Sequence, residues 1–200
     1  MQIVLIGGFA GSEKKDLLFS VGNGLVARSK NVCALVIESI GDSEGTALKI
    51  DPAITVKEMR NIPCTFINDL MAELPEICRQ SPFDHLLVEV PFSLPPGNVK
   101  KAIVTSGFKD LSFAPVICTL DVNMPLSDGT MVPKIVKTLI IGSEVIVAGV
   151  DPAGSKSITA LNRILEVNPG IKVFEHFAGS GGHRIDDFVE MIINRDNKAL

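Results

Sequence analysis

Short unbroken apolar runs alternate along this chain with longer stretches in which apolar residues recur every three or four positions. The runs cover residues 2–6, 32–38, 85–89, 115–120, 145–150 and 172–176. Rich in Val, Ile and Leu, they predict strands covered by other elements on both faces. The periodic stretches, 14–28, 66–80, 97–106, 132–142, 155–167 and 185–194, predict helices. In the last of them Ile185, Phe188, Val189, Ile192 and Ile193 form one apolar stripe, the signature of a helix with a single buried face. This alternation is that of βαβ units. It predicts an α/β fold: a doubly wound, mostly parallel sheet with helices on both faces, in three layers. No repeat, linker or low-complexity segment interrupts it, so a single domain over residues 1–200 is expected. The clusters "VPFSLPPG" and "AGVDPAG" follow strand ends, where ligand loops sit in open parallel sheets.

Composition narrows the partners. Hydrophobic residues make up 46% of the chain and charged ones 21%, an ordinary globular balance. Trp and Tyr are absent, which argues against a surface built to stack bases. The net charge of −4 supplies no field toward DNA or anionic lipid, so neither nucleic acid nor a membrane is an expected partner. The opening run "IVLI" ends at glycine after four residues, too short for a signal peptide. "TLIIGSEVIVAGV" is too short to cross a bilayer and is broken by Glu144. Cys33, Cys64, Cys78 and Cys118 lack CxxC spacing. Cys33 and Cys118 fall in strand-like runs and are expected to be buried thiols, and Cys78 to face the core of its helix. A cytoplasmic location is expected.

The chemistry concentrates in "IGGFAGSEKKDLL", residues 6–18, between the first strand and the first helix. A P-loop reads G-x-x-x-x-G-K-[ST], glycines for close backbone approach and lysine for the β- and γ-phosphates. From Gly8 the chain has the first glycine and, at the right offset, Lys14; Gly7 and Gly11 add backbone freedom. Glu13 replaces the second glycine and Lys15 the Mg²⁺-binding hydroxyl, while Asp16 is an alternative oxygen donor. Two readings stand: an anion cradled at a helix N-terminus, or a glycine-rich turn that no longer holds one.

The order of landmarks resembles the CobW/HypB/UreG family of P-loop GTPases, which serve metal-centre assembly. Family members begin with something like "VIGGFLGSGKTTLL"; this chain has "LIGGFAGSEKKDLL". A family Cys-x-Cys-Cys motif, a helix and "DHVLIEPSGLADP" correspond here to "NIPCTFINDLMAELPEICRQ" and "DHLLVEVPFSLPP". The likeness continues through "LDV" at 120–122, "SEVIVAGVD" and "VNPGIKVFEHFAGSGGHRIDDFVEMI". It implies a P-loop NTPase-like fold and a GTP-binding accessory protein for cobalamin- or nickel-type centres, at most a weak GTPase. The alternative is a non-enzymatic module that has lost its nucleotide and docks on a metalloenzyme or corrinoid protein.

By matching position, the resemblance implies that Gly8, Gly11, Ser12 and Lys14 hold phosphates, that Glu89 acts near Mg²⁺ and water, and that Asp151 reads guanine. Phe92 stands where the family has a glycine meeting the γ-phosphate, and "AGVD" at 148–151 keeps only the aspartate of N-K-x-D. "FAGSGG", 177–182, corresponds to the loop behind the base, and "ESIGDSEG", 38–45, to the first switch, with solvated loop charge the simpler reading. Of the three family cysteines Cys64 alone is matched. One thiolate does not fill a Zn, Ni or Co coordination sphere, so a metal there implies two copies meeting across a twofold axis as a homodimer. His85, expected at the sheet edge, His176, at a strand end, and His183, in the exposed "SGGHR" loop, are the available nitrogens.

Overall fold

The computed structural model describes residues 1–8, 12–37, 49–60, 62, 64–80, 82–92, 94–121, 132–149, 155–176 and 183–196. Its first strand, β1 (Gln2–Gly8), is buried along its whole length. Val4 and Ile6 point to one core, Ile3 and Leu5 to another, because successive strand side chains face opposite ways. Both faces are covered, which is why the run is continuously apolar rather than alternating.

In chain order β1 is followed by α1 (Ser12–Val26), β2 (Val32–Ile37), β3 (Thr55–Met59), α2 (Phe66–Gln80), β4 (His85–Glu89), α3 (Pro96–Thr105) and β5 (Ser112–Phe113). Then come β6 (Ile117–Asp121), α4 (Lys134–Ile141), β7 (Val145–Gly149), α5 (Ser155–Val167), β8 (Lys172–His176) and α6 (His183–Asp196). The sheet runs β3-β2-β4-β1-β6-β7-β8, with β5 a short addition to β1, and its pairs are parallel. One core joins α1 and α6 to the sheet through Leu18, Val21, Leu25, Phe188 and Val189. Opposite it, α2 and α3 bury Phe66, Leu70, Leu74, Val99 and Ile103, and α4 and α5 bury Leu139, Ile140, Ala160 and Ile164. Phe188 meets Phe174 edge-on at 5.2 Å, worth about 0.5–1.5 kcal/mol beyond its buried area. Arg28 spans from α1 to Asp186 and Glu190 of α6.

The doubly wound α/β expectation holds, and every predicted strand and helix exists. Bounds move for local reasons. α1 starts two residues earlier than expected and stops at Val26, where the chain turns away through Ser29 at φ 58. α4 is trimmed to Lys134–Ile141 by Pro133 at its N-cap and Gly142 at its C-cap. Two strands were not legible. β3 lies at the sheet edge with Thr55, Val56 and Glu58 exposed, and β5 has only two residues.

Two side chains stand elsewhere than expected. His85 is buried in β4, between β2 and β1, and not at the sheet edge. Its neighbours in both directions are paired strands, so the polar residue was carried inside by the apolar run it begins. Cys78 is exposed. α2 buries Phe66, Leu70, Leu74 and Ile77, and the next residue after Ile77 is rotated off that face. Cys33 and Cys118 are buried, as expected. Among the described residues no helix is long and apolar enough to cross a membrane.

Candidate functional site

The carboxyl ends of β1, β2, β4 and β6 meet at one edge of the sheet. Register places Ile6 beside Glu89 and Gly8 beside Thr119. Gly8 leaves β1 at φ 133. A Cβ there would fall within contact of Thr119 Oγ1 and its carbonyl oxygen, and 2.9 Å from its amide nitrogen. Only glycine lets β1 and β6 approach this closely at that φ. Thr119 donates its hydroxyl to the Gly7 carbonyl at 3.3 Å, anchoring the last residues before the loop.

α1 rises from this edge, and its third residue, Lys14, turns inward. The ammonium is buried, donates to the Val90 carbonyl at 3.1 Å and stands 3.7 Å from Glu89 Oε1. Glu89 Oε2 accepts the Ile37 amide at 2.9 Å, and Val90 N–H donates to the Ile6 carbonyl at 2.9 Å. Burial lowers the Lys14 pKa from its ordinary value, and the Glu89 carboxylate opposes that shift. Burial also pushes the neighbouring Cys118 thiol up to about 12.

The structure therefore brings together Gly8, Lys14 and Glu89. Ser12 supplies the first residue of α1. Gly11 and Asp151 lie outside the described residues, as do the loops 38–45 and 177–182. Phe92, three residues after Glu89, is 45% exposed. Sequence reasoning missed Thr119, the Ile37 amide and the Val90 carbonyl. A lone threonine inside "VICTLD", near the end of the apolar run 115–120, was the available signal for the first; backbone groups leave none.

The residues suit an anion: a helix N-terminus and a cation converge at one strand-end crevice. For a magnesium ion the hydroxyl donor is missing, but Asp16, in the second turn of α1, has a buried oxygen, Oδ1, without a hydrogen-bond partner among the described residues. An orphaned carboxylate oxygen fits a hard cation. For zinc, nickel or cobalt the described residues of one chain do not fit. Among the described residues no three His, Cys, Asp or Glu side chains cluster, and Cys64 is exposed in the turn before α2. His176 ends β8, as expected, and His183 begins α6. A cleft of about 840 Å³ lies at the other end of the strands, lined by Pro115, Glu144, Lys172, Asp187 and Glu190, away from Lys14.

No curated protein matches the chain in sequence. Solved structures match in fold. Zn(II)-bound YjiA GTPase from E. coli gives a TM-score of 0.60 at 16% identity, over 94% of this chain and 62% of that one. HypB from Helicobacter pylori in complex with nickel gives 0.62 at 11%, over 98% and 88%. HypB from Archaeoglobus fulgidus, a hydrogenase maturation factor, gives 0.59 at 14%, over 96% and 90%. At these identities the likeness shows the fold. The chain spans 62% of the YjiA chain and 59% of the LAO/AO transport system kinase. The sequence pattern described as CobW/HypB/UreG, nucleotide-binding domain, matches residues 2–175. The chain belongs to the CobW/HypB/UreG family.

Proposed function

We propose that this protein binds a guanine nucleotide at the head of α1 and serves the assembly of a metal centre or metal cofactor, hydrolysing GTP slowly or not at all. The observation that carries the reading is Lys14, held at the strand-end crevice beside Glu89 in a chain of this family. Gly8, Gly11, Ser12 and Lys14 would hold the phosphates and Asp151 the base. Asp16 and Glu89 would hold Mg²⁺, which when bound neutralises charge on phosphate oxygens. Relatives of the same fold are a Zn(II)-bound GTPase and a nickel-bound HypB, which supports a metal-related client, a metalloenzyme or corrinoid protein.

Slow chemistry follows from three substitutions. Phosphoryl transfer relies almost wholly on positioning and charge stabilisation. Glu13 puts a carboxylate where the loop needs bare backbone, Lys15 replaces the Mg²⁺ hydroxyl, and Phe92 puts a bulky side chain where the family has a glycine beside the γ-phosphate. The guanine site keeps one of its paired polar groups, so discrimination between GTP and ATP is reduced.

The second reading, a module without nucleotide, is favoured by one observation: Lys14 already has acceptors inside the protein. Calorimetric titration with Mg²⁺ and GTP, GDP and ATP in turn separates the two. Binding of guanine nucleotide with little turnover supports the first reading. Silence for all three on folded protein supports the second, and rapid GTP turnover contradicts both.

A further inference from the structure

The acceptors of Lys14 are fixed points, and the lysine is the movable partner. Glu89 ends β4 and is pinned through Oε2 by the Ile37 amide of β2. The Val90 carbonyl belongs to a peptide unit whose neighbouring amide is tied to Ile6 of β1. Neither group can follow an ammonium that swings away on its flexible four-carbon stem. Lys14 and Glu89 are 4% and 5% exposed, so water is poorly placed to replace either contact.

We propose that these contacts form a resting lock: Glu89 and the Val90 carbonyl hold Lys14 in reserve, and a phosphate ligand binds only by drawing the ammonium off them. The inference rests on the nucleotide reading of the site and adds its regulation. A polyphosphate would satisfy Lys14, but it would leave Glu89 buried with its charge uncompensated beside the incoming anion. Separating a buried pair in this way is unfavourable, and that cost is subtracted from affinity. A cation beside Glu89 removes it, so the lock makes binding depend on Mg²⁺ although Lys15 has replaced the usual hydroxyl.

The test uses magnesium-free GTP and inorganic tripolyphosphate in EDTA, titrated by calorimetry into the full chain. Glu89→Gln keeps an oxygen for the Ile37 amide and removes the charge. It is expected to tighten binding about tenfold, the effect of losing one buried ion-pair partner. In a Lys14→Met background the same change is expected to tighten binding clearly less. Equal affinity of wild type and Glu89→Gln overturns the lock and leaves the nucleotide reading standing. Equal tightening with and without Lys14 also overturns it, since the carboxylate then merely repels phosphate. Absence of magnesium-free binding in both wild type and Glu89→Gln, with folded circular dichroism spectra, overturns the lock, and the nucleotide reading falls with it only if Mg²⁺-GTP also fails to bind. A second readout needs no variant: the Ile37 amide resonance of wild-type protein is expected to shift on adding magnesium-free GTP, and an unmoved signal with GTP bound contradicts the lock.

Discussion

Replacing Gly8 with alanine is expected to be among the most damaging single-methyl changes in this chain. Gly8 sits at φ 133, in a region that residues with a side chain rarely adopt. Its Cβ would also press against Thr119 on the paired strand, including that residue's own backbone. Strained backbone costs about 1–3 kcal/mol and overpacking a further 1–3 or so, giving about 2–6 kcal/mol together. Domains of this kind are stable by only about 5–15 kcal/mol, so the variant loses a large share of its stability. Gly107 is the internal control. It has φ 78 with nothing within 4 Å of its Cβ, so Gly107→Ala should cost only the conformational part, about 1–2 kcal/mol. Urea unfolding followed by far-ultraviolet circular dichroism is the assay, because the chain has no Trp or Tyr to report by fluorescence. The midpoint should fall with the slope unchanged. Thr119→Ala should rescue Gly8→Ala only in part, since it removes the hydroxyl and leaves the clashing backbone. A cost for Gly8→Ala no larger than for Gly107→Ala, or full rescue, would refute the reasoning.

Glu13→Gly should tighten nucleotide by removing a carboxylate beside the phosphates, and Lys15→Thr should make binding more Mg²⁺-dependent; unchanged affinity in both, by calorimetry on folded protein, favours the turn that holds nothing. Burial pushes Cys33 to about 11 and Cys118 to about 12, so at pH 8 iodoacetamide with peptide mapping should label Cys64 and Cys78 in the folded state and reach the other two only on unfolding. Those raised values also set a pH dependence. The unfolded thiols ionise near 9, so their contribution to stability is complete below that pH and is lost as pH rises toward 11–12; in Cys33→Ala the fall above pH 9 should be shallower. Any tight zinc or nickel should bind as one ion per two chains and be abolished by Cys64→Ser; one tight ion per monomer, by titration with sedimentation, contradicts that.

What could be read in advance followed the strength of the apolar signal. β1, β4 and β7 are short buried runs, and all three were legible with their starting residues; β8, exposed at Lys172 and half-buried at Val173 and Phe174, was legible from its place in the alternation. β3 was not, because an edge strand of sequence "TVKEM" buries only Met59 and carries charges where a central strand carries Val or Leu. Lys14 and Glu89 were legible as candidates from their places at a helix start and a strand end. Their contact was not, since the two lie 75 positions apart in the chain and come together through the pairing of β1 with β4. The Val90 carbonyl and the Ile37 amide were invisible for a deeper reason: backbone groups are the same at every position, and only the fold selects which ones face a ligand. His85 shows the converse limit. A polar residue at the start of an apolar run signals neither burial nor exposure until the order of the strands is known.

The central claim is that Lys14, at the head of α1, holds the phosphates of a guanine nucleotide. Its most direct test is calorimetric titration of Mg²⁺-GTP into wild type and into Lys14→Met, with circular dichroism confirming that both are folded. The expected result is saturable binding to wild type and affinity at least about tenfold weaker in the variant, as for a lost charge-assisted contact. No binding to wild type, or equal binding to both proteins, would contradict it.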